Sequence, residues 1–217
     1  MPNNSSTRGT SRDPRARRTR ALLRAAVLEL SMEKSLDGIT MGDIAERAEV
    51  NRATVYLHYK DREDLLLEAS ESTMAGILDA ASACRLTADT SFAFEEPAPA
   101  HLVNLFTHVD QHHSLYSHLL GEDGSPRFAA HLERLLAQGW YEQLVADTDP
   151  EKTDEIALSL RAHFLSGALL SVIARWTQGE FADTDAAAHN SAASDIEHVA
   201  QVTWSLIRSQ ICVREQL

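Results

Sequence analysis

The sequence predicts an all-α chain, with a small three-helix unit at its N-terminus and a larger helical unit after it. Three observations carry this. Apolar residues recur at three- and four-residue spacing along most of the 217 residues. Capping side chains mark where the helices start, and no alternating apolar run is long enough to suggest a sheet. With 44% hydrophobic residues the chain has enough apolar surface to bury a core.

Taken in order, residues 1–15 read as a flexible basic arm, because "MPNNSSTRGTSRDP" has almost no apolar residue with which to offset the entropy of ordering. From Arg15 onward Leu22, Leu23, Ala26, Val27 and Leu30 recur at helical spacing, and the helix ends before Asp37-Gly38. Thr40 is a good N-cap for "MGDIAERA", whose Ile44, Ala45 and Ala48 form an apolar stripe, and Glu49-Val50 leaves room only for a tight turn. Asn51 caps the next segment, "RATVYLHY". It places Val55 and Tyr59 on one face and Arg52, Thr54, Tyr56 and His58 on others. Two short helices joined by a tight turn read as a helix-turn-helix.

A long helix follows from Arg62 to about Arg85, then a loop rich in Thr, Ala, Glu and Pro. Further helices are expected near 98–120, broken around His112, and at 126–146, 150–178 and 193–214. Ser125-Pro126 and Asp149-Pro150 each set a capping side chain before a proline at the first helical position, and Gly179 stops a helix. The expected division is therefore 1–15 arm, 16–62 helix-turn-helix domain and 63–217 helical domain.

Charge is segregated along the chain. Residues 1–24 carry seven arginines against Asp13 alone, whereas residues 71–217 carry 8 basic and 21 acidic residues, within a net charge of -12. A basic end on an acidic body points to a polyanion at one end only; a solubilising tail is the plainer reading. Cys84 and Cys212 are far apart and have no metal-ligand spacing, and the Arg-rich start has no apolar stretch that would make a signal peptide. A cytoplasmic protein with no membrane contact is expected.

A short second helix that enters a major groove brings hydroxyls, cations and backbone N–H groups to phosphates and base edges. Arg52 has the fork to bond guanine, Thr54 can bond a base or a phosphate, and the Ala53 and Thr54 methyls can touch a thymine methyl. Tyr56, His58 and Lys60 suit phosphates, and the arginine-rich segment that includes Arg17 and Arg18 suits the backbone or the minor groove. A structural helical hairpin would use the same spacing.

The stretch "ITMGDIAERAEVNRATVYLHYKDREDLLLE", with "TRALLRAAVLELSMEKSLDG" before it, resembles the N-terminal DNA-binding domain of the TetR family of bacterial one-component regulators. The resemblance covers residues 17–64. It implies DNA contacts from Thr40, Asn51, Arg52, Ala53, Thr54, Tyr56, His58, Lys60 and Arg62, with Val55 and Tyr59 in the core. It also implies a larger all-helical ligand-binding domain, with two late helices pairing across a two-fold dimer axis. Glu49 departs from the pattern, since that turn position usually carries glycine; a positive φ there would cost strain.

The acidic half is less specific. Phe106, Tyr116, Trp140, His163, Phe164 and Trp176 supply much of its bulk, and together they form the candidate lining of an effector pocket, although packing explains any one of them. The stripe Ile156, Leu160, Phe164, Gly167, Ser171, Ala174 suits either a dimer seam or an internal core. His108 and His112 stand one turn apart, but no third ligand falls at ligand spacing, so no metal and no cofactor is expected. There is no G-x-S-x-G, no phosphate-binding glycine loop and no H-E-x-x-H, so no enzyme is expected. The sequence reading is a homodimeric regulator that binds a palindromic double-stranded operator and is released by a small-molecule effector; a DNA-binding architectural or partner-controlled factor without an effector is its rival.

Overall fold

The computed structural model describes residues 13–83, 97–148, 154–181 and 192–211. These form nine α-helices and one 3-10 turn, with no strand among the described residues. The expected arm to residue 12, the loop at 84–96 with Cys84, the Asp149-Pro150 start and the end of the chain with Cys212 lie outside the described residues.

The chain divides into two compact units, residues 1–70 and 71–217. In the first, α1 (Pro14–Glu33) starts at Asp13, whose carboxylate accepts from Arg15 N at 2.9 Å, with Pro14 in the first turn. Its buried Leu23, Ala26, Val27 and Leu30 lie on the face that the apolar spacing requires. A 3-10 turn at Leu36–Gly38, not foreseen from the sequence, leads to α2 (Met41–Arg47) and α3 (Arg52–His58). Both α1 and α3 pack on α2, enclosing Ile44, Ala45 and Val55. Each large aliphatic side chain buried in this way contributes about 1.5–3 kcal/mol.

Helix α4 runs unbroken from Arg62 to Ala83. The division falls within it, after Ser70, rather than at Arg62. The reason is that Leu65 and Leu66 are fully buried and Glu68 bonds α1 and Tyr59, so the first turns of α4 belong to the first unit.

The second unit holds α5 (Ala100–Gln111), α6 (His113–Leu120), α7 (Pro126–Ala146), α8 (Glu155–Thr177) and α9 (Ala192–Ile211). The expected break at 112 is present: His112 closes α5 and opens α6 in a non-helical conformation. Ser125 caps α7 by accepting from Phe128 N at 3.0 Å. Asp154 is the cap of α8 and accepts from Ala157 N at 3.0 Å. Beyond its end Gly179 takes φ +77°, the left-handed turn that favours glycine.

Helix α7 lies along α8, α6 packs against both, and α5 lies along α9. Phe106, Tyr116, Phe128, Leu132, Trp140, Leu165 and Ile173 fill the space between them. By length and composition α8 is apolar enough to cross a membrane, with mean hydropathy 1.7. Its apolar residues divide between a face packed on α7 and a second, uncovered face.

Candidate nucleic-acid interface

The geometry of the helix-turn-helix follows from three local devices. Thr40 Oγ1 accepts from Asp43 N at 3.2 Å while Asp43 Oδ2 accepts from Thr40 N at 2.8 Å, a reciprocal box that fixes the start of α2. The end of α2 is closed by Val50 N donating to Ala45 O at 2.9 Å and Glu49 N donating to Glu46 O at 3.1 Å. This pair of bonds requires a left-handed residue between them, and Glu49 supplies it at φ 54°. Asn51 Oδ1 then accepts from Ala53 N at 2.8 Å and opens α3. The side chains of Thr40 and Asn51 thus serve as caps first.

Along α3, Val55 and Tyr59 point into the core, while Arg52, Ala53, Tyr56 and Leu57 are exposed, Thr54 and His58 are half-buried, and Lys60 beyond the helix is exposed. The Arg52 guanidinium stands 6.0 Å from the Tyr56 ring centroid, which holds the two side chains near each other on the open face. Arg17 and Arg18 are exposed on the first turns of α1. Leu57 was not singled out from the sequence, yet it is 82% exposed, the most open large apolar side chain of the described residues. A periodicity argument treats such a leucine as core.

Several other cations of this unit are held by carboxylates or carbonyls. Arg20 pairs with Glu68, and the Tyr59 hydroxyl donates to the same carboxylate at 3.0 Å. Glu68 and Tyr59 hold the Arg20 guanidinium well above its ordinary range, and burial pushes the Tyr59 phenol up. Arg47 bridges Glu29 and Glu33 of α1, at 3.2 and 2.5 Å, and Lys34 meets Asp43 at 2.9 Å. The Lys34 ammonium, helped by the Thr40 backbone and hydroxyl, brings the Asp43 carboxyl down to about 2. Arg62, grouped with the DNA contacts by resemblance, is turned inward: its guanidinium donates to the carbonyls of Leu36 and Ile39, the latter at 3.2 Å.

In the second unit the six candidate pocket residues occupy different surroundings. Phe106 and Trp176 pack edge to face, with centroids 5.3 Å apart. Tyr116 is fully buried and donates to Thr73 O at 3.0 Å, and Trp140 Nε1 donates to Ala81 O at 3.3 Å. His163 Nδ1 lies 3.0 Å from Glu133 on the outer side, and Phe164 is exposed. An open groove of about 560 Å³ runs between α7 and α8, lined by Arg134, Tyr141, Leu160 and His163 among others. Among the described residues no three metal-ligating side chains gather.

Comparison with known proteins agrees with this geometry. The family model described as bacterial regulatory proteins, tetR family, matches residues 22–69, and one described as a transcriptional regulator C-terminal region matches 98–188. The chain belongs to the TetR family. This TetR-family chain is 28% identical over 162 residues to the uncharacterised HTH-type transcriptional regulator YxbF of Bacillus subtilis (strain 168). That match takes in 74% of the chain but only 40% of the relative's length. Among solved structures, a putative TetR-family regulator from Syntrophomonas wolfei aligns over 91% of the chain and 99% of its own, at TM-score 0.60 and 18% identity. A TetR regulator from Streptococcus agalactiae aligns over 87% and 95%, at TM-score 0.56 and 19% identity. At such identities the likeness is one of fold. All-helical architecture and an N-terminal helix-turn-helix are shared.

Proposed function

We propose that the chain is a cytoplasmic, homodimeric transcriptional regulator, acting as a repressor, that reads a palindromic operator through α3 and releases it on binding a small molecule. The outer face of α3 carries this reading: Arg52, Ala53, Tyr56 and Leu57 stand open while Val55 and Tyr59 anchor the helix from behind. Arg52 suits a guanine edge, Leu57 and Ala53 suit thymine methyls, and Tyr56, Lys60, Arg17 and Arg18 suit phosphates. Thr40 and Asn51 contribute by aiming helix N-termini at the backbone as much as by direct contact.

The dimer is supported by the uncovered face of α8, where Ile156, Leu160 and Phe164 are 74%, 66% and 59% exposed at four-residue spacing. Three large apolar residues left in water on one stripe favour a second copy. Two copies of α3 would then sit about 34 Å apart, one helical turn of DNA. An effector in the second unit would act through α4, which continues from one unit into the other. A coupling of about 1–3 kcal/mol suffices to empty most of an operator. The direct test is Leu160→Glu, followed by light scattering and by binding to a palindromic duplex. A monomer that binds no better to the palindrome than to a half-site supports the reading, and an intact dimer contradicts it.

A further inference from the structure

The second half of α4 is held within the second unit by side chains that reach its backbone carbonyls. Trp140 Nε1 donates to Ala81 O at 3.3 Å and Gln143 Nε2 to Ser82 O at 2.7 Å. A little more than two turns earlier, two groups meet on Thr73 O: the Tyr116 hydroxyl at 3.0 Å and His108 Nε2 at 3.0 Å. The same Nε2 lies 3.3 Å from the Tyr116 oxygen. This arrangement depends on Gly76, for a Cβ there would stand 2.2 Å from His108 Cε1, 2.6 Å from Nε2 and 2.7 Å from Nδ1. The imidazole edge is laid directly against the α4 backbone.

We propose that His108 and Tyr116 form a proton-sensitive clamp on α4, closed while the imidazole is neutral and loosened when acid protonates it. A neutral ring with its proton on Nε2 donates to Thr73 O and leaves Nδ1 as a lone pair against Gly76, where nothing is asked of it. Protonation keeps the Nε2 bond, which by itself favours the charge, but adds a second N–H on the edge facing Gly76. Among the described residues Nδ1 makes no hydrogen bond that could receive it. The ionisable neighbours add to the cost. The His112 ring centroid is 4.4 Å away, and a charge there disfavours one on His108. Tyr116 offers no negative charge, because burial pushes its phenol up. On α4 the flanking carboxylates Glu71 and Asp79 are exposed, and on α5 so is Asp110; among the described residues none bonds the ring. Among the described residues no side chain of α7, α8 or α9 bonds the ring, and burial moves His108 below the ordinary 6.5. The charged ring gains most by swinging to water, which withdraws one of the two donors from Thr73. The clamp bears on the proposed regulator because α4 continues into the first unit, but it does not depend on DNA binding.

The test is amide hydrogen exchange of the full chain at pH 7.5 and 5.5, corrected for intrinsic rates, with His108→Gln as the variant that keeps a donor but cannot titrate. Wild-type protection over residues 71–83 is expected to fall on acidification, by no more than about tenfold per pH unit since one proton is involved. The variant is expected to hold its protection. An equal fall in both, or none in the wild type, overturns the clamp. Direct NMR titration of His108 in the wild type gives a second reading that needs no variant: a midpoint below 6.5 is expected, and one at or above 6.5 overturns the proposal.

Discussion

Arg62 donates to the carbonyl oxygen of Ile39 at 3.2 Å, and to that of Leu36 as well, so the first residue of α4 ties down the strap between α1 and α2. Its side chain is 22% exposed and also meets Glu63 at 3.2 Å. A cation so engaged orients the helix-turn-helix from within rather than reaching a phosphate.

Arg62→Ala is therefore expected to lower the stability of the protein by about 1.5–3 kcal/mol, the cost of losing charge-assisted bonds to partly buried carbonyls. Arg62→Lys should recover only part of it, because an ammonium lacks the planar fork. Arg52→Ala and Lys60→Ala, at exposed positions, should stay within about 0.5 kcal/mol of the wild type. Urea denaturation of the four variants beside the wild type decides it; an Arg62→Ala midpoint equal to the wild type's would mean that these bonds do not hold the strap.

Glu49 sits at φ 54° with its side chain exposed, in a turn whose two closing bonds demand that conformation. Left-handed backbone costs a side-chain-bearing residue about 1–2 kcal/mol. Glycine removes that cost but gives back about 0.4–1 kcal/mol through the freedom of the unfolded chain. Glu49→Gly should thus gain about 0.5–1 kcal/mol net, read as a higher denaturation midpoint, while Glu49→Val should lose stability.

What the sequence made legible and what it hid divide along a physical line. Caps at Thr40, Asn51 and Ser125 were readable because each involves a side chain and a backbone within three residues. Strain at Glu49 was legible only through the family resemblance, in which that turn position usually carries glycine. Arg62 was not, since its partners lie 23 and 26 residues away and no local pattern announces them. Nor could periodicity tell which face of α8 is covered: Leu158 and Leu165 are buried, whereas Ile156 and Phe164 are open, yet both sets repeat at helical spacing. His163 and Phe164 were grouped with Phe106 and Tyr116 on composition, and only the packing of α7 on α8 puts the first two outside. Asp154, which caps α8, was not singled out from the sequence.

The capping box gives a pH dependence with a definite sign. Asp43 is held at about 2, chiefly by Lys34, against an ordinary value of 3.8. A carboxyl whose folded value is depressed stabilises the fold above its unfolded value, and that contribution disappears as pH falls through the folded one. The stability tied to Asp43 is hence complete above 3.8 and lost on the way to about 2. Asp43→Asn should be less stable at neutral pH and show a flatter loss over the acid range. Thermal melts at a series of pH values test this, and parallel acid limbs would count against it.

The central claim is that α3 reads DNA as one half of a two-fold pair, and selection of bound duplexes from a random pool tests it most directly. The expected result is an enriched palindrome whose half-sites lie about 10 base pairs apart, centre to centre. Arg52→Ala should relax the preference at one position in each half-site, and Lys60→Ala should weaken binding evenly across sequences. A pool that stays random at moderate salt, or an enriched site with no two-fold symmetry, would contradict the account.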